Sequence, residues 1–326
     1  MNLALNPSEP APAGAINGHE LNALLEKTSR TFALTIPMLP EPLRTEIGVA
    51  YLLFRIIDTF EDATGWPRSA RVDALEAFVR LLDQPDEPRA AACAAGWVKD
   101  PPVGHPGYLE LLAATPRVLG WYWRLDPAAR AHMRRHLERS ALGMCAFVNR
   151  TDAHGVLRLA SLADLRGYCF VVAGLVGEML TELFLKSGGG SHQLAAVAAE
   201  LRARSVAFGE GLQLVNILKD AGADAVEGRI YLPRDVALAE VFVLARSDLR
   251  AAAEYTELLR ASGAHPGLVA FNAINARLAI ASLQLLRDRG LGSKLGRSQV
   301  IGIAADVARA LDASAPLFEP AGSDGP

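Results

Sequence analysis

Cysteine is scarce in this sequence. Cys93, Cys145 and Cys169 are an odd set without CxxC spacing, which argues against a disulfide framework and against a structural zinc site. A reducing compartment suits such a chain, so a cytoplasmic location is the expectation. Long apolar runs are missing as well: the longest, around Phe170 to Gly177, stops at Glu178, far short of the ~20 residues that cross a bilayer. No transmembrane helix is expected, and peripheral contact with a membrane stays open. Neither sign of charge dominates. With 33 Lys and Arg against 36 Asp and Glu, net charge is −3, and the dispersed basic residues leave no footprint for DNA or RNA. The opening MNLALNPSEPAPAGA has no basic region followed by an apolar core, and it reads as a flexible tail rather than a signal peptide.

Half of the residues (51%) are hydrophobic and 21% are charged, enough to bury a large core. Ala, Leu, Glu and Arg outnumber the β-branched residues, and apolar positions recur at helical spacing from Leu21 to about Ala310. The expected class is all-α. Helix breakers fall at Pro37 to Pro42, Pro85 to Pro106, Ser187 to Gly190, Gly228 to Pro233 and Gly290 to Gly296. Apolar periodicity resumes directly at Tyr108, so the proline-rich Pro85 to Pro106 stretch reads as a loop inside one domain. The expected boundaries are a tail over 1–18, a single domain over 19–315 and a second tail over 316–326. No repeat of 30 to 50 residues is visible, which favours a compact helical bundle over a solenoid.

Two acidic stripes stand out. In YLLFRIIDTFEDATG, Tyr51, Arg55, Asp58 and Asp62 are spaced 4, 3 and 4, so a helix would put them on one side of an otherwise apolar rod. In GLQLVNILKDAGADAVEGRIYLP, Gln213, Asn216, Asp220 and Asp224 repeat the pattern at 3, 4 and 4, with Lys219 beside the first acid. Burying paired carboxylates is costly without compensation, and Mg²⁺ would supply it by taking carboxylate and phosphate oxygens together. Each stripe alone also fits a solvated helix face or a helix end. Two such stripes on separate helices suggest facing walls of one cavity. His132 and His136 lie at i,i+4, but Arg134, Arg135 and Arg139 crowd them and no HExxH glutamate is present, so a basic solvated face is the better reading. Nor do ExxH pairs of the di-iron type occur.

These residues resemble the squalene and phytoene synthases, which join isoprenoid diphosphates head to head. TSRTFALTIPMLP (28–40), YLLFRIIDTFED (51–62), GYCFVVAGLVGEMLTELF (167–184) and GLQLVNILKDAGADAVEGRIYLP (211–233) carry the likeness, and DTFED is nearer the squalene synthase branch. A weaker block, NARLAIASLQLLRDRGLGSKLGRSQV (275–300), is similar to the segment that approaches the nicotinamide cofactor in squalene synthases. The resemblance implies one helical domain of isoprenoid synthase type around a central cavity. It implies that Asp58, Asp62, Asp220 and Asp224 hold Mg²⁺ bridged to diphosphate, and that Tyr51, Arg55, Gln213, Asn216, Lys219, Arg229, Ser29 and Arg30 hold the diphosphate or its surroundings. Tyr168 would stand near the reacting carbons, Phe32 would form an aromatic wall, and Lys294 and Arg297 would meet NADPH phosphates. Two departures are present: Lys219 where Arg is usual, and a small, flexible AGA between Asp220 and Asp224.

The implied reaction joins two farnesyl diphosphates through presqualene diphosphate, followed by NADPH-dependent reduction to squalene. Dehydrosqualene or phytoene synthesis without reduction is the alternative. A non-catalytic scaffold of the same fold would be expected to lose its metal-binding aspartates, and here all four are intact. No GxGxxG fingerprint follows a strand, so a dinucleotide would not sit in a Rossmann site. The expected partner is an isoprenoid diphosphate, with the chain a monomer or weak dimer.

Overall fold

Capping residues and apolar stripes set the helices of this chain, seen in a computed structural model that describes residues 17–29, 31–188 and 192–318. Helices α1 (Gly18–Thr28), α2 (Phe32–Thr35), α3 (Leu43–Glu61), α4 (Arg68–Asp83), α5 (Glu87–Lys99), α6 (Pro106–Ala113), α7 (Thr115–Arg124) and α8 (Pro127–Val148) form the first half. A short strand β1 (Leu157–Arg158) precedes α9 (Leu162–Cys169), α10 (Leu175–Ser187), α11 (His192–Ala196) and α12 (Ala198–Val226). Strand β2 (Arg229–Ile230) then leads to α13 (Leu238–Ala261), α14 (Pro266–Arg289) and α15 (Arg297–Asp312). The all-α class holds.

The core gathers around α3. Val49, Leu52, Leu53, Ile56, Ile57 and Phe60 are fully enclosed, which leaves the Tyr51, Arg55, Asp58 stripe as the half-buried side of the same helix. α10 and α12 meet backbone to backbone. A Cβ on Gly177 would lie 2.0 Å from the Ser205 carbonyl oxygen, and one on Gly209 would lie 2.1 Å from that of Ala173, so only glycine permits this approach. Between α9 and α10 the chain makes one wide π turn over Phe170–Gly174, with Ser140 Oγ donating to the Val171 carbonyl at 2.8 Å.

Several sequence expectations need correction. The Pro85 to Pro106 stretch is not a loop: α5 fills most of it, capped by Asp86, whose carboxylate accepts from Arg89 N–H at 3.0 Å. Pro88 sits in the first turn, where a missing N–H costs nothing, so the prolines bracket the helix instead of breaking it. The parallel pairing of β1 with β2, Leu157 opposite Arg229, was not legible from two-residue strands. The domain also runs past residue 315, because Leu317 is 2% exposed against the core and Arg260 Nη1 donates to the Ala315 carbonyl at 2.8 Å. The rest of the two expected tails, 1–16 and 319–326, lies outside the described residues. Finally, the segments Leu162–Ser187 and Pro266–Arg289 are long and apolar enough to cross a membrane, contrary to the reading from uninterrupted runs. Half or more of each is buried, as expected of core helices.

Candidate active site

The stripe on α3 and the stripe on α12 face one another. Asp62 caps the C-terminus of α3, and Asp224 lies in the last turn of α12. Arg229, on β2, reaches both: Nε is 3.4 Å from Asp62 Oδ1, and Nη2 is 2.9 Å from Asp224 Oδ1 and 2.7 Å from Glu227 Oε2. One planar guanidinium is only a few ångströms across, so contact of its Nε with one acid and its Nη2 with the other brings the two acidic segments close together. The β1–β2 pairing holds the backbone of Arg229 at this junction.

A cavity of about 290 Å³ opens beside the acids. Arg55, Asp58, Gln213, Asn216 and Lys219 line it, together with Ile36, Ile47, Met179, Phe208 and Phe271. One end is therefore polar and the other apolar. Phe32 forms part of the wall, its ring 5.3 Å from Tyr51 and 6.2 Å from Phe271. Val172 and Ala173 enter the wall from the π turn.

Charge is crowded here. Burial pushes the Asp58 carboxyl up to about 6, Arg55 opposes that with Nη1 3.5 Å away, and the neighbouring Asp62 charge adds to it. Asp224 is raised by burial against the pull of Arg229. Glu61, unnoticed in the sequence, is 3% exposed and pushed up to about 8 by burial and by Asp62, against the pull of Arg71. Burial is what chiefly raises these carboxyls, and a nearby divalent cation would favour their ionised forms. Among the described residues, no group of three or more acids, histidines or cysteines could hold an ion unaided.

The model of the squalene/phytoene synthase family matches residues 25–265. The chain belongs to this family. A Botryococcus braunii squalene synthase is 30% identical over 216 residues, covering 65% of this chain and 42% of that protein. A squalene synthase from Cyberlindnera jadinii is 30% identical over 215 residues, 65% of this chain and 45% of the relative. This chain thus spans less than half the length of the curated relatives it matches. Among solved structures, TcSQS in complex with a ligand superposes with a TM-score of 0.68 at 26% identity, covering 90% of this chain and 85% of that one. A dehydrosqualene synthase shares the fold, with a TM-score of 0.56 at 19% identity over 90% of this chain and 96% of that one.

Of the residues that the family resemblance implies, Asp62, Asp220, Asp224 and Arg229 are not among those lining the cavity, nor are Tyr168, Ser29, Lys294 and Arg297. Tyr168 does not line it; it is 3% exposed, stacks on Tyr231 at 4.5 Å, and donates to the Tyr231 hydroxyl at 2.8 Å. Burial and the nearby Glu61 hold its phenol well above the ordinary range, which keeps it protonated. Ser29 Oγ accepts from Phe32 N–H at 2.9 Å, so it organises the turn into α2. Arg30 lies outside the described residues. Lys294 is paired with Asp220, Nζ to Oδ1 at 2.8 Å, and Arg297 is exposed in the first turn of α15. Beyond Glu61, sequence reasoning missed Tyr231, two positions after Arg229, and Tyr108, whose ring lies 5.4 Å from the Arg55 guanidinium. RIYLP could have flagged Tyr231, whereas nothing near Tyr108 points to Arg55.

Proposed function

We propose that this chain is a Mg²⁺-dependent head-to-head prenyltransferase that joins two allylic isoprenoid diphosphates, with farnesyl diphosphate as the substrate and presqualene diphosphate as the first product. The observation that carries this is Arg229 touching Asp62 and Asp224 at once, beside a cavity whose far wall is apolar. Bound Mg²⁺ would neutralise the departing diphosphate. Asp58, Asp62, Asp220 and Asp224 would hold it, while Arg55 and Lys219 grip phosphate oxygens and Gln213 and Asn216 offer side-chain amide N–H groups.

When the allylic C–O bond breaks, its electron pair leaves with the diphosphate oxygen and the carbon is left cationic. The apolar wall keeps water from trapping that cation. Phe32, Tyr51 and Phe271 present ring faces, each worth about 0.5 to 2 kcal/mol to a passing cation. The double bond of the second substrate then supplies the electrons for the new carbon–carbon bond, and closing the cyclopropane releases a proton. Released diphosphate takes that proton, because Tyr168 is buried, protonated and away from the cavity wall. Reduction of that first product by NADPH, with Lys294 and Arg297 as the residues that would meet its phosphates, is the second half of the proposed reaction and is read directly by the assay.

The test is to incubate the purified protein with farnesyl or geranylgeranyl diphosphate and Mg²⁺, with and without NADPH. Pyrophosphate release and product mass are the readouts. The reading predicts release with farnesyl diphosphate and a C30 product. A C40 product would replace the substrate and keep the metal chemistry, whereas no pyrophosphate release from either substrate would leave the scaffold reading in its place.

A further inference from the structure

Arg55 is held between two aromatic rings. Its guanidinium carbon lies 5.7 Å from the Tyr51 centroid and 5.4 Å from the Tyr108 centroid, and Nη2 donates to the Tyr51 hydroxyl at 3.3 Å. Its Nε is buried and without a hydrogen-bond partner. With Nη2 on the Tyr51 hydroxyl and Nη1 3.5 Å from Asp58 Oδ2, the unpartnered Nε and the remaining N–H bonds of the terminal nitrogens are what an anion would meet, which suits phosphate recognition. Tyr51 was expected in the site, and it lines the cavity with Arg55. Tyr108 lines nothing there; it comes from α6 and meets Arg55 from outside the cavity wall.

The last turn of α1 fixes both rings. Tyr51 donates its hydroxyl to the Thr28 carbonyl at 2.9 Å. Gly107, next to Tyr108, presses on the Lys27 carbonyl so closely that a Cβ would lie 2.4 Å from that oxygen. Lys27 Nζ then donates to both Glu110 oxygens, at 2.7 and 2.9 Å, which ties α6 down one turn later. The His105 ring, 4.3 Å from Tyr108, packs against that tyrosine. A carbonyl pair and one lysine at the end of α1 thus set the spacing between the rings that clamp Arg55.

The geometry points to Tyr108 as a positioning residue that holds the Arg55 guanidinium for the diphosphate of the substrate. This rests on the reading of Arg55 as a diphosphate ligand. Tyr108 touches no substrate; it acts through Arg55 alone. The ring face is the working part, so phenylalanine can replace it and an aliphatic side chain cannot.

Calorimetric titration of the full chain with inorganic pyrophosphate in excess Mg²⁺ tests this. Tyr108→Leu is expected to weaken binding about tenfold, and Tyr108→Phe to stay within about twofold of wild type. KM for the allylic diphosphate should rise in Tyr108→Leu by more than kcat falls. In an Arg55→Met background, which removes the cation, the Tyr108→Leu penalty should vanish, a result that general loss of structure would not give. Tyr108→Gln, which is polar and compatible with a half-exposed site, should behave as leucine does and stands in if the leucine variant folds poorly. Equal binding by wild type and Tyr108→Leu, or the same penalty in the Arg55→Met background, overturns the inference and leaves the proposed function intact. Wild type that binds no pyrophosphate overturns both.

Discussion

Replacing Arg229 by Gln should expose how much the two acidic segments repel one another. The Arg229 side chain is 11% exposed, and its partners Asp224, Asp62 and Glu227 are 15%, 38% and 57% exposed. Only the Asp224 contact is sheltered; breaking a fully buried pair costs about 3 to 5 kcal/mol, and exposed pairs contribute about 0 to 1 kcal/mol each. The cost of burying Arg229 Nε and Nη1 without hydrogen-bond partners disappears with the side chain and offsets part of the loss. A net destabilisation of about 2 kcal/mol follows. With unfolding entropy near 2.1 cal/mol/K per residue, a chain of this length loses about 3 °C in Tm. The deficit also depends on pH. Burial already raises Asp224, and removing Arg229 takes away the charge that lowers it, so its carboxyl is raised further in the folded variant. A raised folded pKa gives stability that is present below the unfolded value and lost as pH rises through the folded one, so the deficit should be larger at about pH 8 than at about pH 4. Thermal unfolding in chelator, followed by circular dichroism at both pH values, measures it. A Tm within about 1 °C of wild type, or a deficit that shrinks as pH rises, refutes the reasoning.

Other expectations follow from separate features. Asp58→Asn and Asp220→Asn should each cut turnover by about a thousandfold or more, and a near-normal pyrophosphate release rate would remove that aspartate from the metal role. Gly209→Ala forces a methyl to 2.1 Å from the Ala173 carbonyl oxygen and should destabilise by about 3 kcal/mol in urea unfolding; a loss under about 1 kcal/mol would mean that α12 slides freely. Asp248 is 5% exposed with an unpartnered Oδ2, and burial followed by the Glu210 charge pushes its carboxyl up to about 6 against the pull of Arg166. Its raised pKa means that this stabilisation is present below the unfolded value and is lost as pH rises through about 6. Asp248→Asn, which mimics the protonated acid, should therefore stabilise by about 1 to 2 kcal/mol at about pH 8 and by nearly nothing at about pH 4. An equal effect at both pH values would sink that assignment.

The helical stripes were legible because a period of 3.6 residues is written directly into residue spacing. Asp58 and Asp224 fall where that spacing puts them, on opposed helices whose other faces are apolar. What escaped detection depends on contacts between distant segments. Arg229 reaches Asp62 only because a two-residue parallel pairing carries it there, and Tyr108 meets Arg55 only because Gly107 lets α6 press on α1. Prolines misled at α5, since their count looks the same whether they bracket a helix or break one. The burial of Tyr168 against Tyr231 could not be read from a tyrosine in an apolar run.

Sharing of divalent ions between the two aspartate pairs is tested most directly with Mn²⁺, an oxygen-seeking surrogate for Mg²⁺ whose free form is counted by paramagnetic resonance. Titrated into wild type, Mn²⁺ should bind far more tightly when inorganic pyrophosphate is present, and Asp58→Asn and Asp220→Asn should each abolish that gain although they stand on different helices. If either variant kept the full pyrophosphate-dependent affinity, the two pairs would not be holding one metal cluster, and the account would fail.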